Sequence, residues 1–179
     1  MTESRRLTPD ETRAAQTVFG PHLDYAAVRI HRGLPLLPQY HTAVSPNGRI
    51  YFPQTHYLPD YTRAAPGYTL WLIHELTHVW QWQHGFKTWL GGLILAARGG
   101  YLRRRAYRCP PLHEIRRFSD LNMEQQAETL ARCYAVLHSP HTHTAVQNDA
   151  CRRILQQFSA QTPSDKLLPR YFAAMRKIK

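Results

Sequence analysis

The apolar residues of the chain fall into runs separated by clusters of Gly, Pro, Asn and Ser, and the runs predict a mostly helical protein with a few short strands. From Thr69 to His84 no proline or glycine interrupts the chain, and Gly85 follows where a left-handed cap closes a helix, so about four helical turns are expected there. Leu70, Trp71, Ile73, Val79 and Trp80 mark this helix as buried. Asn122, with Gln125 three residues later, forms a capping box, and Met123 to His138 continues without a breaker as a second strong helix. Thr8-Pro9-Asp10-Glu11 starts a shorter helix to about Val18, which Gly20-Pro21 ends. Ala27 to His31 and Arg49 to Phe52 are rich in β-branched and aromatic residues, with the turn Ser45-Pro46-Asn47-Gly48 before the second, so a small sheet is expected in the N-terminal third. Further helices are predicted over Leu90 to Arg105, Ala145 to Ser159 and from about Leu168, the first of them crossed by Gly91-Gly92 and Gly99-Gly100.

Composition narrows the class. With 179 residues, 43% of them hydrophobic, the chain supports one domain, residues 1–179, with a buried core. Lys and Arg total 23 against 12 Asp and Glu, a formal charge of +11, and a surface of this sign attracts anionic partners. Cys109, Cys133 and Cys151 are odd in number, widely spaced and without a C-x-x-C pair, which fits neither a disulfide framework nor a thiolate zinc site. The polar N-terminus lacks a signal-peptide core, and Trp89 to Ala97 is too short to cross a bilayer. Synthesis in the cytoplasm, without a signal peptide or transmembrane segment, is therefore expected.

The candidate chemistry lies in His74-Glu75-Leu76-Thr77-His78. Helical residues four apart differ by about 40° around the axis, so His74 and His78 project from one face and can grip one ion. Imidazole suits Zn²⁺, and a catalytic zinc site takes three protein ligands and leaves a position open to water. Glu75, beside the first ligand, is placed to act as general base on that water. The third ligand must come from another element, and Glu124 is the candidate. Glu128, one turn along, is then expected to accept the second ring N–H of a ligand histidine and fix its tautomer. The alternative for the acidic pair is a solvated face near a helix N-terminus, where carboxylates are favoured anyway.

The residues His74, Glu75, His78, Glu124 and Glu128 resemble the gluzincin pattern, H-E-x-x-H on one helix with a ligand Glu and a further acid on the next. More closely, His74 to Gln81 and Asn122 to Glu128 resemble the signatures of small bacterial zincins that accompany, or are fused to, type VI secretion spike proteins. The resemblance spans about Ile50 to Tyr134. It implies an α+β, zincin-like fold, mostly helical with a small N-terminal sheet over the H-E-x-x-H helix. It also implies an edge strand, near Arg49 to Phe52, that pairs with an extended peptide. Export through a dedicated secretion system follows from it, with a spike or an immunity protein as partner and an antibacterial effector role.

The reaction expected is zinc-dependent hydrolysis of a peptide bond in a peptide or protein substrate, with one Zn²⁺ and Glu75 as base. Tyr101, Tyr107 and His113, between the two metal helices, are candidate oxyanion stabilisers. A different class of function rests on Arg98, Arg103, Arg104, Arg105, Arg108, Arg116 and Arg117, with Tyr101 and Tyr107 interleaved to stack on bases: a DNA-associated protease, or a basic nucleic-acid-binding protein with a zinc site. Such basic runs ordinarily form a solvated face. A third reading, a zinc site that only ties helices together, gives Glu75 no task. His141 and His143, around Thr142, read as a surface turn. The cleavage preference, the oligomeric state and whether the chain is exported are not written in the residues.

Overall fold

In the computed structural model, which describes residues 3–34, 42–158 and 164–172, helix α1 (Pro9–Phe19) starts as its sequence requires. The Thr8 hydroxyl accepts from the Glu11 backbone N–H, and the Glu11 carboxylate accepts from the Thr8 N–H in return. The same carboxylate is fully buried. It takes two guanidinium bonds from Arg5, each 2.7 Å, and the backbone N–H of Tyr61 at 2.9 Å. One side chain thereby joins strand β1 (Ser4–Arg5), α1 and the 3₁₀ turn Tyr61–Arg63.

The sheet has three strands in the order β1, β2 (Ile30–Arg32), β3 (Ile50–Phe52), the first pair antiparallel and the second parallel. Ala27, expected in the second strand, belongs instead to the 3₁₀ turn Tyr25–Ala27, which the Asp24 carboxylate caps through the N–H groups of Ala26 and Ala27. β3 is the last named strand, yet its outer edge is taken. Val44 and Tyr51 exchange backbone hydrogen bonds of 3.1 and 3.0 Å, so the segment Thr42 to Pro46 forms the rim that the sequence placed at Arg49 to Phe52.

Helix α2 (Pro66–Gln83) begins one turn earlier than the uninterrupted run, with Pro66 at its first position, where a missing N–H costs nothing. It ends in a Schellman closure: Gly85 at φ 96° donates to Trp82 O and Phe86 to Gln81 O. Between Leu72 and Gln81 the helix is buried on almost every face. Phe52 of β3 meets Trp71 edge-on at 5.0 Å, and Trp80 packs near Phe118 and Phe158 on the opposite side.

Helix α3 (Thr88–Ala97) is shorter than Leu90 to Arg105 and runs straight through Gly91-Gly92. A Cβ at Gly91 would lie 2.7 Å from Met123 Sδ and from the Phe86 ring, so the glycine permits close packing and does not break the helix. A second Schellman closure, at Gly99 and Gly100 on Ala96 O and Leu95 O, stops α3. The chain then turns through Leu102–Tyr107 with Arg103 and Arg104 at φ 52° and 56°, a left-handed conformation costing a non-glycine residue about 1–2 kcal/mol.

Helix α4 (Met123–His138) shows the expected Asn122–Gln125 capping box and packs along α2, with α5 (Ala145–Gln156) against it. The C-terminal helix expected from Leu168 is absent up to Phe172: Ser164–Leu167 is a 3₁₀ turn, and Pro169, without an N–H, follows. The rest of that prediction, like the end of the one at Ser159, lies outside the described residues. Among the described residues no helix is long and apolar enough to cross a membrane. The architecture is α+β, mostly helical with a small three-stranded sheet.

Candidate metal centre

Because α2 and α4 pack side by side, the first turn of α4 brings Glu124 against the middle of α2. Glu124 Oε2 lies 3.3 Å from His74 Nε2 and 3.4 Å from His78 Nε2. Ligand atoms of all three residues fall within 4.8 Å of one another. Zinc bonds of about 2.0–2.1 Å at tetrahedral angles separate neighbouring donors by roughly 3.3 Å, so these side chains fit a zinc ion with little adjustment. Two imidazoles and one carboxylate are also the donor set of a catalytic site, not of a closed structural one. In the metal-free protein the three groups hold one another. Burial disfavours charge on His78, but Glu124 outweighs it and the imidazole is pushed up to about 9. Burial likewise disfavours the Glu124 carboxylate, and the His78 and His74 rings hold it well below the usual range.

The tautomer of His78 is set by a chain of amides. Gln126 Nε2 donates to the backbone carbonyls of Phe118 and Leu167, at 3.0 and 2.9 Å, which turns its Oε1 towards Gln81. Gln81 Nε2 donates to that oxygen and to Met123 O, leaving its own Oε1 to accept from His78 Nδ1 at 2.9 Å. Carbonyls cannot reverse their role, so Nδ1 keeps its proton and Nε2, which faces Glu124, is the nitrogen that would ligate a metal once its own proton is lost. This is the task expected of Glu128. Glu128 instead accepts from Arg132 Nε at 3.2 Å, because a basic partner lies one turn along its own helix while Gln81 already holds His78.

Glu75 is buried beside the donor set, and its Oε2 accepts from Ser45 Oγ at 2.8 Å. Ser45 sits on the rim segment, which α3 fixes from behind: Thr88 Oγ1 donates to Ser45 O, and Trp89 N to Pro46 O. The four motif residues open into a cleft of about 750 Å³ walled by Trp71, Trp89, Tyr101, Arg104 and Tyr107. Tyr101 donates its phenol to Glu124 Oε1 at 3.0 Å, and Tyr107 stacks on the His74 ring at 6.1 Å. Burial, reinforced by the Glu124 charge, pushes both phenols above their ordinary value, so both remain O–H donors at neutral pH.

His113 is not brought to the cleft. It is exposed on the 3₁₀ turn Leu112–Glu114, whose inward positions go to Leu112 and the following Ile115. Arg98, Arg103, Arg104, Arg105, Arg108, Arg116 and Arg117 are all exposed. Of the tyrosines between them, Tyr101 donates to Glu124 and Tyr107 stacks on His74. Ser45, Gln81 and Gln126 are the site residues missed from the sequence. Gln81 and Gln126 fall within the two matched signatures, and Gln81 also lies three residues after His78 on the same helix, but neither was given a role.

No protein-family model matches the chain. It is 35% identical over 128 residues to the type VI secretion system spike protein VgrG2b of Pseudomonas aeruginosa, an alignment covering 69% of this chain and 12% of that protein. The chain therefore spans only a small part of that relative's length. Among solved structures, the effector domain of Pseudomonas aeruginosa VgrG2b matches with a TM-score of 0.69 at 30% identity, covering 84% of this chain and 83% of that one. At this identity, and with the two chains covered almost equally, the chain belongs to the family of the VgrG2b effector domain.

Proposed function

We propose that the chain is a zincin-type, zinc-dependent metallopeptidase that acts as a type VI secretion effector, carried by a spike protein to its substrate. The observation that carries the reading is the convergence of His74, His78 and Glu124 donors beside the buried carboxylate of Glu75, at the floor of an open cleft. Zinc, when bound, supplies a Lewis acid for the scissile carbonyl and hydroxide at neutral pH. Every other task falls to side chains. Glu75, held by Ser45, removes a proton from the attacking water and returns it to the leaving amine. Tyr107 offers an O–H donor to the charge that develops on the carbonyl oxygen, while the Tyr101 O–H holds Glu124 in place. Trp71 and Trp89 give the cleft apolar walls suited to an extended peptide, which the rim at Ala43 to Ser45 can align by backbone pairing.

Metal analysis and peptide-library cleavage test this together. Purified protein is expected to hold one zinc per chain and to cleave peptides, and Glu75→Gln to keep the zinc while losing at least about a hundredfold in rate. Undiminished cleavage by Glu75→Gln removes Glu75 as base, and zinc-loaded wild type that cleaves no peptide removes the peptidase reading.

A further inference from the structure

A second cavity, of about 440 Å³, adjoins the cleft and is lined by Arg104, Tyr107, Arg108, Cys109, Glu128 and Arg132. Arg104, Tyr107 and Glu128 line both spaces, so the two are neighbours across a shared wall. Three guanidinium groups face one carboxylate there, and that carboxylate, Glu128, is already matched with Arg132. Among the described residues Arg104 and Arg108 have no acidic partner. The Arg104 guanidinium lies 5.2 Å over the Tyr107 ring, which also stacks with His74 at 6.1 Å and meets Tyr101 at 6.0 Å, so the arginine reaches the surroundings of the metal position through one tyrosine. The Cys109 thiol in the same wall is no nucleophile at neutral pH, since burial pushes it up to about 11.

We propose that this cavity is a specificity subsite that binds a carboxylate of the peptide substrate through Arg104 and Arg108. Two unpaired guanidinium groups beside a balanced Glu128–Arg132 pair suit a planar monoanion, which the guanidinium fork grips by paired hydrogen bonds. Glu128 opposes a second negative charge, which argues against a phosphomonoester dianion at this position. The carboxylate is either the C-terminus of the peptide or an Asp or Glu side chain next to the scissile bond. The inference rests on the proposed peptidase activity for its substrate class, but its test reads binding separately from turnover.

The probe is one fluorescent apolar peptide in three forms: neutral with an amidated C-terminus, neutral with a free C-terminus, and amidated with a single internal Glu at successive positions. Binding is measured on zinc-loaded Glu75→Gln, which prevents turnover, and cleavage on wild type. One of the two carboxylate forms is expected to bind roughly tenfold tighter than the neutral amide, with an advantage that shrinks as salt is added. Which form gains identifies the source of the carboxylate. In Arg104→Gln/Arg108→Gln the carboxylate forms are expected to bind no tighter than the neutral amide binds to the same variant, and a thermal melt like the parent's shows that the variant is folded; a retained carboxylate advantage overturns the subsite. Equal binding and cleavage of all forms by the parent overturns the subsite and leaves the peptidase reading standing. Carboxylate-selective binding without cleavage by wild type leaves the subsite standing and overturns the peptidase reading. Absence of binding by any form overturns the subsite.

Discussion

His78 illustrates how much of the proposed metal centre lies behind its candidate ligands. Its Nε2 is useful only because Nδ1 is held by Gln81, and Gln81 is oriented by Gln126 and by backbone carbonyls. Gln81→Leu removes the acceptor and frees the ring to turn or change tautomer, so zinc affinity is expected to fall about 10–100-fold in chelator competition, with all three donors present. An unchanged affinity would assign the amide chain to packing alone. The metal-free centre also carries a pH signature. His78 is pushed up to about 9 from an ordinary 6.5, so its contribution to stability is complete below about 6.5 and is lost as pH rises through 9. Glu124 is held below its ordinary range, and its contribution is present above about 4.5 and lost as pH falls. Chelator-treated protein is therefore expected to melt several degrees lower at pH 9.5 than at pH 6.5, and His78→Phe to lose most of that slope. Zinc binding has the opposite dependence, since ligand imidazoles must be neutral, and tightens as pH rises through the same range.

At the scale of elements, what can be read from sequence is what is local. Capping boxes at Thr8–Glu11 and Asn122–Gln125 and the glycine closure at Gly85 depend on residues within a turn of each other, and all three helix ends stand where the sequence puts them. His74, Glu75 and His78 were legible for the same reason, being set by helical spacing on α2, whereas Glu124 was singled out by the acid one turn along and by the gluzincin resemblance. Ser45, Gln126 and the rim at Thr42 to Pro46 gain their roles only from contacts between elements far apart in the chain. The reason for Gly91, the nearness of Met123 and Phe86, is tertiary and so was not legible. Glu11 has a place in a capping box, yet its larger role, as the buried anchor of Arg5 and the Tyr61 turn, is also tertiary. Glu11→Ala leaves Arg5 uncompensated and breaks the join between sheet and helix. A loss of about 3–5 kcal/mol in denaturant unfolding is expected, and a loss under about 1 kcal/mol would mean that Arg5 finds water instead.

For the whole molecule, the fold class follows from the balance of long helical runs and two short strands, and the basic surface follows from the charge count. The position of the arginines relative to the cleft does not, because it is decided by one turn after α3. The segment Gly99 to Arg108 carries Tyr101, Arg104 and Tyr107, whereas the donors and the carboxylate of the proposed base belong to α2 and α4. Holding and choosing are thus assigned to separate pieces of chain. The two helices are committed to the core, with little freedom to vary without loss of packing. The turn is mostly exposed, begins after a glycine closure, and contacts the metal position through side chains only. Under the proposed reading, what is recognised can therefore be changed by rewriting one surface turn, while the interior that would hold the metal is left as it is.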